Sequence, residues 1–256
     1  MSDPPLLAGR IALVTGASRG IGYALALGLA EAGAHVIATA RTQAGLEELD
    51  DAVLAATGAH ATLVPLDITD GDGLDRLGAA LYERFGRLDI LVSNAGDLGL
   101  LTPLAHLDPK VWDRALTVNA TATFRVIRAM DPLLRQAQAA RAIFLTSGAA
   151  TAPRAFWGAY AATKAAMESL VQVYADEVDT TAIRCTLLSP GPLRTRMRMQ
   201  AFPGEDPADL TRPEALVPLL LDLVKPEGDP PLRASFPAWR KGRDEPGAIH
   251  ACALET

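Results

Sequence analysis

The chain has 256 residues, of which 49% are hydrophobic and 21% charged, and this globular composition excludes a disordered or fibrous protein. Thirty acidic residues against 24 lysines and arginines give a formal net charge of −6, which, without a basic block, disfavours nucleic acid as a partner. Every apolar run is broken well short of membrane-spanning length and residues 1–10 show no leader pattern, so we expect a cytoplasmic protein with no membrane contact.

Short β-branched apolar runs alternate along the chain with longer stretches of helical periodicity. The runs predicted as strands cover residues 10–15, 35–40, 61–66, 88–93, 141–146 and 182–188. The stretches predicted as helices cover residues 21–32, 43–57, 71–85, 109–138 and 158–176. Repeated strand–helix–strand units predict an α/β fold, a doubly wound, Rossmann-like parallel sheet of about seven strands with helices on both faces. Ligands of such sheets bind beyond the carboxyl ends of the strands.

The regular alternation weakens after residue 188. Pro190 and Pro192 break the chain, and residues 202–213 are rich in Pro, Asp and Glu, which predicts a mobile loop or a short helix. We interpret residues 190–213 as a lid over a substrate site, within one domain that spans residues 1–256.

The C-terminal part is harder to place. Residues 213–224 fit a further helix, and residues 231–236 are predicted as a last edge strand because prolines stand at its start. No element is predicted from Pro237 onward.

A glycine-rich segment, residues 15–22 (Thr-Gly-Ala-Ser-Arg-Gly-Ile-Gly), follows the first strand and opens the first helix, as a dinucleotide-binding loop requires. Gly16 permits the sharp turn, Gly20 lets the backbone approach a pyrophosphate, and Gly22 lets helix and sheet pack closely. The helix N-terminus then presents free N–H groups to the anion. The alternative is an ordinary glycine-rich turn, because the spacing GxxxGxG differs from the commoner GxGxxG.

The end of the second strand indicates which nicotinamide cofactor would bind. An acid there favours NAD and an Arg favours NADP, and residues 39–42 read Thr-Ala-Arg-Thr, with no carboxylate between Glu31 and Glu47. Arg41 and, from the glycine turn, Arg19 would bind a 2′-phosphate through charge-assisted hydrogen bonds, so we expect NADP(H) in preference to NAD(H). The alternative is that both guanidinium groups are merely solvated.

Four polar residues form a candidate catalytic set. Tyr160 and Lys164 are four residues apart at the start of a predicted helix, Ser147 closes a strand, and Asn119 stands inside a predicted helix, where Asn is a poor helix former. An ammonium about 4.5 Å from a phenol would bring its pKa from about 10 to near 7, which suits general acid–base work. Alone, a Tyr and a Lys at this spacing are more often one ridge of an amphipathic helix.

Together these features resemble the short-chain dehydrogenase/reductase family in its compact single-domain form. The matching positions run in family order: residues 15–22, Asp67 with Ile68, Asn94-Ala95-Gly96, Asn119, Ser147, Tyr160, Lys164, Pro190-Gly191 and Thr195. The chain departs from the family at its end, where the usual Asp-Gly-Gly after the last strand is missing.

The resemblance implies a role for each catalytic residue. Tyr160 would be the general acid/base that protonates the carbonyl oxygen as hydride arrives, and Lys164 would lower its pKa and bind the nicotinamide ribose. Ser147 would orient the substrate oxygen, and the main chain of Asn119 would help hold a water that links Lys164 to solvent. The residues expected to contact the cofactor are Gly16, Ser18, Arg19, Gly20, Ile21, Gly22, Arg41, Asp67, Ile68, Asn94, Ala95, Gly96, Tyr160, Lys164, Pro190, Gly191 and Thr195.

The sequence therefore predicts an NADP-dependent oxidoreductase that interconverts a carbonyl and an alcohol by hydride transfer. Apolar loops at the expected substrate entrance favour an apolar ketone or a 3-oxoacyl compound, whereas an anionic group would meet Arg154, Arg194, Arg196 and Arg198. The alternative is a nucleotide-binding scaffold or redox sensor without turnover.

Two further expectations concern metals and assembly. The four histidines and two cysteines are scattered without ligand spacing, so no metal site and two inert thiols are expected. The predicted helices 109–138 and 158–176 resemble the pair through which family members associate, which implies a homodimer or homotetramer.

Overall fold

The computed structural model describes residues 4–244 and arranges them around a seven-stranded sheet in the order β3-β2-β1-β4-β5-β6-β7. The strands are β1 (Ile11–Thr15), β2 (His35–Ala40), β3 (Thr62–Pro65), β4 (Ile90–Ser93), β5 (Ala140–Leu145), β6 (Ile183–Ser189) and β7 (Arg233–Ser235). All neighbouring strands pair in parallel. The predicted doubly wound α/β fold is confirmed.

The connections between the strands are mostly helical. The helices are α1 (Gly20–Glu31), α2 (Gln43–Thr57), α3 (Gly71–Phe85), α4 (Pro109–Leu116), α5 (Ala122–Leu134), α6 (Gly158–Glu177), α7 (Arg196–Ala201), α8 (Val217–Val224) and α9 (Phe236–Asp244). In the described part of the chain, no helix is both long enough and apolar enough to span a membrane.

The sheet is buried on both faces because side chains alternate along each strand. On β1, Ala12 and Val14 belong to a core with α1, α2 and α8, whereas Leu13 belongs to the opposite core with α3, α5 and α6. Burial on both faces explains why the strands read as continuous apolar runs rather than alternating patterns.

The predicted helix 109–138 extends too far at its end, and the structure adds a π-helical turn within it. It consists of α4 and α5 joined by a π-helical turn at Thr117–Thr121, and α5 ends at Leu134. The wider turn lies where the Asn119 side chain bonds to a neighbouring loop, a tertiary contact that helical periodicity does not register.

The last strand is shorter than predicted. β7 covers only Arg233–Ser235, and Phe236 is the first residue of α9. Its ring is buried in the core, at 3% exposure. The segment from Pro237, for which no element was predicted, continues this helix to Asp244, and the residues that follow lie outside the described part.

The strand order places a crevice at one edge of the sheet. The chain starts at β1, moves outward through β2 and β3, and then returns to add β4 on the other side of β1. The connections after β1 and β4 therefore diverge beyond their carboxyl ends, and this reversal point is where open α/β sheets bind ligands.

Candidate active site

A cleft of about 710 Å³ opens at this reversal point. It brings together most residues that the sequence predicted for cofactor contact, namely Gly16, Ser18, Arg19, Gly20, Ile21, Arg41, Asp67, Ile68, Asn94, Ala95, Gly96, Tyr160, Lys164, Pro190 and Thr195. Four predicted residues, Gly22, Asn119, Ser147 and Gly191, are not among those that line it. Gly22 and Asn119 lie behind the wall of the cleft, where they support residues that line it.

The glycine turn forms the floor at one end of the cleft. Gly16 and Gly20 have φ values of +67° and +58°, which strongly favour glycine. A Cβ on Gly22 would overlap the carbonyl oxygen of Gly16, so this glycine serves the close packing of helix and turn. Helix α1 begins at Arg19 without a side-chain cap and without an acid in its first turn, which leaves its N–H groups available to an anion.

Asn94 braces the glycine turn. Its side-chain Nδ2 donates to the carbonyl oxygens of Thr15, at 2.9 Å, and Gly16, at 3.2 Å. The backbone N–H groups of Asn94 and Ala95 both donate to Thr15 Oγ1 at 3.0 Å. The sequence had placed Asn94 in the cofactor cleft, but its side chain is used to hold two strand ends together.

Opposite charges lie at the ends of β2 and β3. Arg41 Nη1 is 3.9 Å from Asp67 Oδ2, and both side chains are about half exposed. Burial raises the pKa of the Asp67 carboxyl, but hydrogen bonds from Thr69 and the charges of Arg41 and Arg114 together lower it below its usual value. Asp67 does not cap α3, because Asp70 accepts the bond from Gly73 N.

Tyr160 lines the other end of the cleft, and Ser147 lies behind it within hydrogen-bond reach. Ser147 follows β5 and its Oγ accepts a hydrogen bond from Ala149 N at 3.2 Å, while Tyr160 stands in the first turn of α6 with 8% exposure. Burial raises the pKa of the Tyr160 phenol, and a hydrogen bond with Ser147 lowers it only in part. The expectation that the pKa of Tyr160 lies near 7 is therefore wrong, and the phenol carries its proton at neutral pH.

Lys164 lies four residues further along α6 and is buried as well. Its Nζ donates to the carbonyl oxygen of Leu145, at the end of β5, at 2.7 Å. Burial lowers the pKa of Lys164 to about 8, and the negative charge of Glu168 raises it. The ammonium is thus held by the sheet, and its charge is more easily lost than that of an exposed lysine.

Asn119 occupies the π-helical turn and is 1% exposed. Its Oδ1 accepts from Asp97 N at 2.8 Å, and its Nδ2 donates to Asp97 O at 2.8 Å and to Thr163 Oγ1 at 3.0 Å. Its own carbonyl oxygen accepts from Thr123 Oγ1. The side chain therefore clamps the loop after β4 to α6, which is why an Asn stands inside this helical region.

Several residues of the site were not found from the sequence. They are Asp97, Thr163, Glu168 and Arg233. Their partners are distant in the chain, so no short motif marks them; the one local signal was Glu168, four residues after Lys164 on the same helix face.

An aromatic row runs from Tyr160 through Trp157 to Phe202, within residues 190–213. The Trp157 ring is 5.9 Å from the Tyr160 ring and 5.7 Å from the Phe202 ring. Arg198, one of the arginines considered for anion binding, stacks over Phe202 at 3.7 Å and is paired with Glu205 at 2.6 Å, so it is already engaged.

The two ends of the segment 190–213 are tied to each other. Leu193 and Thr211 form a parallel bridge, and Arg194 N donates to Thr211 O at 2.8 Å. A Cβ on Gly20 would lie 3.6 Å from Thr195 Cγ2, so the segment starts directly against the glycine turn. Within the residue range expected to be a loop or short helix, Pro207–Asp209 forms a 3-10 turn.

Neither thiol nor metal chemistry marks the described residues. Among them no group of three or more His, Cys, Asp or Glu could hold a metal ion. Burial raises the pKa of the Cys185 thiol to about 12, whereas Cys252 and His250 lie outside the described residues.

Comparisons with known proteins identify the family of this chain. The family model of the short chain dehydrogenases matches residues 10–206. The chain is 38% identical over 221 residues to the uncharacterized oxidoreductase YciK of Escherichia coli (strain K12), covering 86% of this chain and 87% of that protein.

Solved structures are similar to the same extent. A short chain dehydrogenase from Shigella flexneri 2a str. 301, complexed with NADP, is 36% identical with a TM-score of 0.86, covering 91% of this chain and 98% of that one. One from Escherichia coli CFT073, complexed with NADPH, is 38% identical with a TM-score of 0.84, covering 88% and 94%. The chain belongs to the short-chain dehydrogenase/reductase family of oxidoreductases.

Proposed function

We propose that this protein is an NADP(H)-dependent oxidoreductase that reduces a carbonyl compound to an alcohol and catalyses the reverse oxidation. The observation that carries the proposal is that one cleft contains three features. They are the N-terminus of α1, which has no side-chain cap, Arg41 at the end of β2, and the buried residues Tyr160 and Lys164. The cradle fits a dinucleotide, because its positive-φ glycine turn lets the backbone approach a pyrophosphate and free N–H groups face it.

The chemistry divides between cofactor and chain. When bound, NADPH supplies the hydride that adds to the carbonyl carbon. Tyr160, protonated at neutral pH, donates its proton to the carbonyl oxygen, and the Ser147 hydroxyl hydrogen-bonds to that same oxygen. The Lys164 ammonium stabilises the phenolate left behind. Asn119 holds the loop after β4 against α6, and its main chain would help carry a water toward Lys164.

The preference for NADP over NAD rests on Arg41. It lies at the end of β2, where the 2′ position is read, and Arg19 lines the same cleft. A guanidinium binds a phosphate through charge-assisted hydrogen bonds. The two related structures with bound NADP and NADPH support this choice.

We expect Arg41→Ala to weaken NADPH binding about 10- to 100-fold and to leave NADH binding unchanged, since a hydrogen bond to a charged group contributes about 1.5–3 kcal/mol. Fluorescence titration of both cofactors measures this. Arg128→Ala is the matched control, because Arg128 pairs with Asp75 away from the cleft. Tighter binding of NADH than of NADPH by the unaltered protein would overturn the preference.

The substrate proposed is an apolar ketone or 3-oxoacyl compound. The row of Tyr160, Trp157 and Phe202 gives the reacting end of the cleft an aromatic wall, and Arg198 is occupied by Glu205. In a panel of carbonyl compounds followed by NADPH absorbance, we expect kcat/KM to be higher for apolar ketones than for small carboxylated ones. NADPH binding with no turnover of any compound would favour the alternative of a nucleotide-binding scaffold.

Two further parts of the proposal concern the lid and assembly. Residues 190–213 are proposed as the lid, because they run from the glycine turn to the aromatic row. A homodimer or homotetramer through α5 and α6 is supported by Phe124, Leu170 and Val173, which are 50%, 37% and 54% exposed. A mass of one chain by light scattering at micromolar concentration would contradict the assembly.

A further inference from the structure

A buried carboxylate stands behind the catalytic lysine, and the mechanism above does not use it. Glu168 is 5% exposed. Its Oε1 accepts from Thr146 Oγ1 at 2.5 Å and its Oε2 accepts from Arg233 Nη1 at 2.7 Å. A buried charge is expensive unless it is paired and hydrogen-bonded, and here both oxygens are satisfied.

The position of this carboxylate on α6 is specific. Tyr160, Lys164 and Glu168 follow one another at intervals of four residues, so their side chains lie on one face of the helix. Thr146 separates Leu145, whose carbonyl oxygen accepts from Lys164 Nζ, from Ser147. Glu168 is therefore bonded to the strand end that carries two other parts of the site.

Among the charged groups near Lys164, Glu168 supplies the negative charge that acts on its pKa. The loop after β4 contributes the backbone of Gly96 and the carboxylate of Asp97, which Arg114 neutralises at 2.9 Å. Lys164 Nζ contacts the Leu145 carbonyl and Met167 Sδ, neither of which is charged. Asn119 Oδ1 and Lys164 Nζ both lie beside Gly96, the Tyr160 phenol lines the same cleft, and beyond Glu168 lies the cation of Arg233. Of these charges, only that of Glu168 raises the pKa of Lys164.

We propose that Glu168 is a positioning residue that keeps Lys164 in its ammonium form and ties the end of β5 to α6, while Arg233 of β7 holds the carboxylate in place. The proposal rests on the proposed function, in which the ammonium stabilises the Tyr160 phenolate. Without the carboxylate, burial alone would act on Lys164, and a larger share of the protein would carry a neutral lysine at physiological pH.

The test is the titration of Lys164 in the cofactor-free protein. The sequence contains only four lysines, Lys110, Lys164, Lys225 and Lys241, so ¹³C-lysine NMR gives few side-chain signals and Lys164→Met assigns one of them. In Glu168→Gln, we expect the Lys164 midpoint to fall from about 8 by about 1 pH unit or more, since unit charges about one helical turn apart interact strongly in a protein. The alkaline limb of the kcat/KM profile should move in the same direction.

The matched control is Glu177→Gln, which removes the same charge from the exposed end of α6 and should leave the midpoint unchanged. In Arg233→Met, we expect the Lys164 midpoint to rise instead of fall. Loss of the Arg233 cation leaves the negative charge of Glu168 uncompensated, and that charge favours the ammonium form of Lys164. The Arg233→Met variant also tests the proposal if Glu168→Gln does not fold.

An unchanged Lys164 midpoint in Glu168→Gln, or in Arg233→Met if only that variant folds, would overturn the proposal whatever the loss of stability. This readout needs neither cofactor nor substrate. Failure of the proposed function would appear separately, as a lack of turnover in the unaltered protein.

Discussion

Tyr160→Phe is expected to lower kcat by about 10³-fold while cofactor binding is retained. The variant keeps the ring that packs beside Trp157 but removes the only proton that the proposed mechanism places on the carbonyl oxygen. General acid catalysis contributes about 10²–10⁴-fold, and the hydroxyl also orients the substrate. Steady-state turnover and an NADPH titration of the same preparation measure the two effects.

Tyr174→Phe is the matched control for this variant. Tyr174 lies on the same helix, is 5% exposed and donates to Asp131 Oδ1 at 2.9 Å, away from the cleft. Its loss should affect stability and leave kcat within about 2-fold, because no bond to the reacting atoms is removed. Turnover by Tyr160→Phe at the rate of the unaltered enzyme would contradict the assignment of Tyr160 as proton donor.

Asn119→Ala is expected to lower the free energy of unfolding by about 3 kcal/mol and to lower kcat as well. The substitution removes three hydrogen bonds from a side chain with 1% exposure and leaves polar groups of Asp97 and Thr163 without their partner. Each buried group left unpaired costs about 1–3 kcal/mol, partly offset where water reaches the loop. Urea unfolding of the cofactor-free protein measures the stability change.

Thr163→Val provides a graded comparison. It removes the acceptor of one Asn119 bond and spares the two bonds to Asp97, so a loss of about 1 kcal/mol is expected. Equal stability of Asn119→Ala and the unaltered protein would mean that the clamp between the β4 loop and α6 does not contribute to folding.

The features that could be predicted from the sequence are those that local chemistry decides. The turn at Gly16 and Gly20 is marked by its own residue types, and the strand–helix alternation follows from buried parallel strands that are apolar on both faces. Those signals were sufficient for the fold, the family resemblance and the place of the cleft.

What could not be predicted depends on partners far away in the chain. The π-helical turn at Thr117–Thr121 has no local signal, because the contacts of Asn119 with Asp97 and Thr163 exist only after the β4 loop and α6 have packed. The pKa of Tyr160 was misjudged for the same reason, since burial of the phenol in the folded chain raises it.

The bridge between Leu193 and Thr211 has a consequence for exchanging the substrate side of this fold. Because the two ends of the segment meet, the residues between them leave and return to the same place, and the sheet does not depend on their path. Thr195 is the exception, because it lies against Gly20 of the glycine turn and has to be kept. A graft of residues 196–210 from another family member is therefore expected to change the substrate range while Thr195, the glycine turn and Tyr160 stay in place.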